Sequence, residues 1–199
     1  MGTFLLVSAS ALWGLLHSLT ASVRTKGIIQ KAFGTSFMNW YRFLYNLLSG
    51  VTFLPLFALV ALLPDVPFYT IPVPWLYFTS VIQLLAVVVL VAGVLQTDVW
   101  SFIGLRQIFA ATPDAKIVTK GLYRYVRHPL YSAGLVFIWL TPAMTLNRVI
   151  LFFCLTFYIF VGAYFEERKL VREYGQDYLE YRASTPMLIP LSFRSKQKI

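Results

Sequence analysis

Five long apolar blocks decide what this chain can fold into. Residues 3–22, 37–63, 73–97, 129–145 and 148–165 carry only two full charges between them, Arg42 and Arg148. Each block reaches or approaches the roughly 20 residues that an α-helix needs to cross a bilayer core. In hydrocarbon every backbone N–H and C=O must be satisfied within the protein, so an apolar block of this length reads as a helix. With 58% hydrophobic and 13% charged residues, the chain has too little polar surface for a water-soluble domain. The expectation is an all-α integral membrane protein with about five transmembrane helices. The last two blocks are short and read as a helical hairpin turned tightly at "TPAMTLNR" (141–148).

Punctuation divides the rest. The chain reads as a single membrane domain over 1–199. Its parts are three N-terminal helices in 1–97, a connector over 98–128, the hairpin over 129–165 and a charged C-terminal segment over 166–199. "PDVPFYTIPVP" (64–74) is a rigid loop that cannot continue a helix. "VWSFIGLRQIF" (99–109) places Trp100 and Ile103 on one side and Arg106 and Gln107 on another, the pattern of one interfacial helix. Gly175 marks a break and restart in the C-terminal segment. The first block has no basic residues before it and no small-residue cleavage site after it, so it is expected to be a retained helix, not a signal peptide. A single cysteine, Cys154, and two histidines leave no disulfide framework and no metal centre.

The net charge of +9 is organised by topology. Arg24, Lys26, Lys31 and Arg42 follow block one. Arg106, Lys116, Lys120, Arg124 and Arg127 follow block three, and Arg168, Lys169, Arg172, Arg182, Arg194, Lys196 and Lys198 follow block five. The other two connections hold only Arg148. The positive-inside rule then places the N-terminus outside and the C-terminus in the cytosol, with membrane lipid as the partner of the basic residues. Cations scattered over three segments form no single patch for nucleic acid.

Polar groups beside apolar blocks are costly and mark candidate sites. They are His17, Arg42, Asn46, Gln96, Asp98, His128, Glu166 and Glu167, all toward the cytosolic side under this topology. They predict a polar pocket in the inner half of the bilayer, open to a water-soluble reagent and to an apolar molecule. Ordinary readings stand beside this one. His17 and Ser18 would serve as interhelical hydrogen bonders, Arg42 as a snorkelling cation, and Glu166–Lys169 as a solvated helix exit. Arg124 and Arg127 would be topology signals, and Tyr123, Tyr125 and Tyr131 interfacial aromatics. His128-Pro129 is more specific. Proline suits the first helical position and holds the preceding residue extended, which sets His128 beside free N–H groups that favour an anion.

No phosphate-binding glycine loop, H-E-x-x-H or nucleophile elbow is present, which disfavours hydrolysis. A reagent carrying both a carboxylate and an ammonium matches better, with the first near Arg127–Pro129 and the second on a glutamate of the next helix.

"GLYRYVRHPLYSAG" (121–134), then a hairpin, "EERKLVREYGQDYLEYR" (166–182) and a proline resemble the C-terminal signature of the isoprenylcysteine carboxyl methyltransferase superfamily, which includes phospholipid methyltransferases. The resemblance covers about residues 117–190. "LWGLLHSLTAS" (12–22) and "YRFLYNLLSG" (41–50) are similar to its bacterial branch of methanethiol S-methyltransferases and NnrU-like proteins. The resemblance implies a membrane enzyme of the bacterial inner membrane that binds S-adenosylmethionine in a cytosolic pocket capped by the C-terminal segment. It puts Val118, Gly121, Tyr123, His128, Pro129, Tyr131, Glu166 and Glu167 on the cofactor motif, with Arg127 contacting cofactor or substrate. The expected acceptor is small or lipophilic, a thiol before a carboxylate. Catalytic candidates are His17, Arg42, Asn46 and Arg127. His17 or Arg42 would favour the thiolate, while Tyr45 or Asn46 orients the acceptor. Two alternatives stand: an NADPH-dependent reductase of the sterol or enone type, with Lys116 and Lys120 near a 2′-phosphate, and a non-enzymatic membrane partner protein.

Overall fold

The computed structural model describes residues 1–109 and 117–190. Lys116, Arg194, Lys196 and Lys198 lie outside the described residues. The first two helices are α1 (Gly2–Ala21) and α2 (Val23–Leu62). Ser22 between them is extended, and its hydroxyl accepts from the Thr25 N–H at 3.1 Å, satisfying one of the orphan donors at a helix start.

Helix α2 has two arms. At Gly34 the backbone takes φ 80 and ψ 176, a region that L side chains avoid, and the chain folds back on itself. In an unbroken helix Tyr41 would lie about 28 Å from Ser22. Instead its hydroxyl donates to the Thr20 carbonyl at 2.6 Å. Residues 23–33, expected as a basic connector, therefore form a helical arm lying beside the start of the spanning part of α2.

Helix α3 (Trp75–Gln96) follows the rigid proline-rich loop, which carries a strand that the sequence does not announce. Strand β1 (Pro67–Thr70) pairs antiparallel with β2 (Ala143–Thr145), in the turn of the C-terminal hairpin. Asp65 Oδ1 accepts the N–H groups of Val66 and Asn147 at 2.9 and 3.0 Å. Two loops that look independent in sequence thus tie the bundle together at one end.

The expected single interfacial helix is two: α4 (Val99–Ile103) and α5 (Arg106–Phe109). Gly104 separates them at φ 99, where a Cβ would stand 2.5 Å from the Phe43 backbone nitrogen. The connector breaks there because it packs directly on the backbone of α2. The Asn46 amide on α2 donates to the Phe102 and Ile103 carbonyls at 3.0 and 2.8 Å, closing the end of α4.

After a 3-10 turn at Gly121–Arg124 come α6 (Pro129–Trp139), α7 (Leu146–Tyr174) and α8 (Gln176–Ser184). The break at Gly175 falls where the sequence places it. Helices α1, α2, α3 and α7 are long and apolar enough to cross a membrane, and α6, with 11 residues, is shorter. The chain is an all-α, multi-pass membrane protein. Leu6, Leu56 and Leu151 form the buried centre where α1, α2 and α7 meet. Large apolar residues such as Leu84 on α3 and Phe157 on α7 point outward, as a lipid-facing surface requires.

Candidate active site

The site is built where the C-terminal segment is bound to the start of α6. Proline at position 129 needs no N–H partner. His128 before it takes φ −124 and ψ 67, outside the extended region that the sequence predicts for it, because its N–H and that of Arg127 turn to pair elsewhere. The Arg127 and His128 N–H groups donate to the carbonyls of Pro186 and Met187 at 2.9 and 3.1 Å. The Ser132 hydroxyl donates to the Leu188 carbonyl at 2.6 Å, and the Tyr181 hydroxyl to the Tyr123 carbonyl at 2.6 Å. Residues 181–188 are thereby strapped across the connector and the N-terminus of α6.

Side chains reinforce the strap. The Arg127 guanidinium grips Glu167 with two bonds, Nε to Oε1 at 2.6 Å and Nη2 to Oε2 at 3.0 Å. Both side chains are only 9% exposed. The remaining guanidinium nitrogen donates to the carbonyls of Arg182 and Thr185. His128 Nε2 donates to Glu167 Oε1 at 3.2 Å, and Arg182 Nε approaches Oε2 at 3.8 Å. Glu167 is fully engaged by the protein itself. A bidentate arginine–carboxylate pair of this geometry is among the stronger polar contacts in proteins.

Glu166, one residue earlier, is different. Its side chain is 44% exposed and accepts one hydrogen bond, from the Tyr131 hydroxyl at 2.8 Å. The nearest cationic candidate is His128 Nδ1 at 3.7 Å. The His128 and Tyr131 rings stack, with centroids 5.3 Å apart at 12°, and this orients both toward the two glutamates.

Glu166 opens onto a cleft of about 500 Å³, within the range of small-molecule sites. Arg42 lines it from α2 and Phe102 from α4. Val118 and Tyr123 come from the connector, Arg127 to Tyr131 from the start of α6, and Tyr174, Tyr178 and Tyr181 from α7 and α8. Among the described residues Arg42 has no carboxylate within ion-pairing distance. Burial pushes the Tyr181 hydroxyl up to about 12 and raises that of Tyr178 as well. Burial, followed by the Glu166 charge, also raises Tyr123. These rings are neutral at physiological pH and present faces able to attract a cation. Asp98, at the start of α4, sits below the usual carboxylate range because the Ser101 hydroxyl donates to it.

Of the residues singled out from sequence, the fold brings Arg42, Val118, Tyr123, Arg127, His128, Pro129, Tyr131 and Glu166 to this cleft. Glu167 lies behind it in the Arg127 clamp. Gly121 packs on Gln96, whose Oε1 accepts the Leu122 N–H at 2.9 Å, and so fixes the 3-10 turn that carries Tyr123. Asn46 is engaged by the α4 carbonyls and is not part of the lining. His17 lies between α1 and α2, with Nδ1 2.7 Å from Ser49 Oγ and Nε2 2.5 Å from the Tyr45 hydroxyl, its ring stacked on Trp13. The sequence reading did not place Phe102, Tyr174, Tyr178 or Tyr181 in the pocket. Tyr174 ends α7, while Tyr178 and Tyr181 are three residues apart on one face of α8, so helical period in "DYLEY" would have found the last two.

Comparison with known proteins converges on the same region. The profile of the family "Phospholipid methyltransferase" matches residues 81–177. Methanethiol S-methyltransferase 2 of Bradyrhizobium diazoefficiens is 33% identical over 172 residues, covering 79% of this chain and 66% of the relative. Methanethiol S-methyltransferase of Crocosphaera subtropica is 37% identical over 118 residues, 57% of this chain and 46% of the relative. Protein-S-isoprenylcysteine O-methyltransferase of Schizosaccharomyces pombe is 40% identical over 83 residues, 39% of this chain and 34% of the relative. The matches span no more than about two thirds of the length of these relatives. No solved structure matches the chain. Through the segment that builds the cleft, the chain matches the phospholipid methyltransferase family and is similar to the methanethiol and isoprenylcysteine methyltransferases.

Proposed function

We propose that the chain is a membrane-integral methyltransferase that uses S-adenosylmethionine and methylates a small or lipophilic acceptor, a thiol before a carboxylate. The observation that carries this reading is the loosely held half of the glutamate pair: a half-exposed Glu166 carboxylate, bonded only by the Tyr131 hydroxyl and 3.7 Å from His128, facing a cleft walled by neutral tyrosines. That donor set fits the proposed reagent. Glu166 would take its ammonium, and the N–H groups of Leu130 and Tyr131, in the first turn of α6 where no intrahelical carbonyl reaches them, would take its carboxylate. Tyr123, Tyr174 and Tyr181 would surround its cationic and aromatic parts. Bound there, S-adenosylmethionine supplies a methyl group on a sulfonium, open to in-line displacement.

The residues of the chain then have separable tasks. Arg127, Glu167 and His128 hold the strap that forms one wall, so they position the site. Asn46 holds the α4 segment that carries Phe102. Arg42 offers the cleft a free guanidinium, which favours an acceptor thiol as its thiolate. Acceleration comes from alignment and exclusion of water. The His17–Tyr45–Ser49 cluster lies on the membrane side, where Tyr45 and Tyr158 are electrostatic neighbours of Tyr131, and it belongs to the acceptor side. Orientation follows the basic residues, with the cleft facing the cytosol. A nicotinamide reductase would need a cation cluster for a 2′-phosphate. Lys120 does not line the cleft, and the similar proteins are named as methyltransferases.

The test is transfer of labelled methyl from S-adenosylmethionine to a panel of thiols by the purified protein. Transfer is expected in the wild type and a loss of at least tenfold in Glu166→Gln, whereas undiminished transfer by that variant sinks the site.

A further inference from the structure

A second cavity, of about 300 Å³, runs along the seam of α3 and α6 and shares only Pro129 with the lining of the cleft. Its floor includes Ala86 of α3 and Ala133 of α6, each 5% exposed. Two methyl side chains there leave space that a larger pair would fill. Its rim includes Leu85, Val136 and Tyr125, at 56%, 40% and 64% exposure, so it opens as a groove on the outer face of the two helices. Leu188 closes it from the strap. The strap thus runs from one cavity to the other, with Tyr181 in the cleft and Leu188 in the groove. The lining has two hydroxyls. That of Ser132 is committed to the Leu188 carbonyl at 2.6 Å, and that of Tyr125 stands at the exposed rim. Such a groove does not hold water favourably. Because α3 is long and apolar enough to cross the membrane, hydrocarbon is the medium that meets it.

The connector end of the groove carries charge. Leu122 and Tyr125, both in the lining, bracket Arg124 in the 3-10 turn, and Lys120 precedes the same turn. Arg124 and Lys120 are exposed. Among the described residues neither forms an ion pair with a carboxylate. They stand just before Pro129, where α6 begins, at the edge of the apolar layer where lipid phosphates lie. We propose that the groove is a phospholipid site, with one acyl chain along the α3–α6 seam and the phosphate at Arg124. The acyl chain packs on Leu188 and so holds that end of the strap. This assignment does not depend on the reaction proposed for the cleft, and binding reads it without turnover.

The experiment is native mass spectrometry of the detergent-purified, delipidated protein at fixed ionic strength. It is titrated separately with phosphatidylglycerol, diacylglycerol and glycerol 3-phosphate, which present chain with phosphate, chain alone and phosphate alone. Phosphatidylglycerol is expected to bind the wild type about tenfold more tightly than either fragment. Val136→Trp, which fills the groove from the α6 rim, should weaken that binding about tenfold, and Arg124→Gln roughly 5-fold. Leu85→Trp blocks the groove from the α3 rim and repeats the test if the first variant does not fold. Hydrogen exchange at the Arg127 and His128 amides, which bond to the strap, should slow when the lipid binds the wild type and stay unchanged in the blocked variant. Diacylglycerol or glycerol 3-phosphate binding as tightly as phosphatidylglycerol overturns the proposal, and so does undiminished lipid binding in a folded blocked variant.

Discussion

Glu166 and Glu167 share a helix and a charge, yet their surroundings differ in almost every respect. Glu167 is buried and gripped by Arg127, with His128 and Arg182 at its margins. Glu166 is half exposed and has one neutral donor, Tyr131. On a helix, adjacent side chains diverge by about 100°. One therefore turns toward the C-terminal strap and the other toward the cleft. The lesson is that an acidic pair read as one motif can divide the work, one carboxylate building the wall and the other facing what the wall encloses.

The largest effect expected from this division is on stability. Arg127→Ala leaves Glu167 buried without its main partner and should cost about 3–5 kcal/mol, read as a large drop in thermal unfolding temperature in detergent. A change within 1 kcal/mol would contradict the clamp. A smaller effect tests the strap at its far end. Tyr181→Phe removes the bond to the Tyr123 carbonyl and should cost about 1 kcal/mol. The same residue gives the strap a pH dependence. Its folded value, pushed up to about 12 by burial, lies above the ordinary value near 10. Its contribution is therefore complete below about pH 10 and is lost as pH rises through about 12. The phenylalanine variant should lack this alkaline component in a melting series, and an identical series in both proteins would remove Tyr181 from the strap. The smallest change in stability belongs to Glu166→Gln, within about 0.5 kcal/mol, because the Tyr131 hydroxyl can still donate to the amide oxygen.

Much of this was legible in the sequence because hydrocarbon imposes simple rules. Apolar blocks of spanning length gave the helices, Pro129 gave the start of α6 and Gly175 the break before α8. The residues around the cleft were legible as costly polar groups at block ends. What escaped depended on contacts between distant segments. The Gly34 fold-back is a glycine among helix formers, and its positive φ, with nothing packed against the position, is what distinguishes it from a tolerated one. Gly104 breaks the connector because α2 lies against it, and β1–β2 joins loops about 75 residues apart. Composition alone does not assign Asn46 to the α4 carbonyls or separate Glu166 from Glu167, since the difference lies in which partner reaches each side chain.

Calorimetric titration of S-adenosylmethionine into wild type and Glu166→Gln, each shown by melting to be folded, tests the central claim most directly. The account predicts binding to the wild type and a loss of roughly 10- to 100-fold in the variant, the cost of removing one charge-assisted contact. Equal affinity in the two proteins would contradict it.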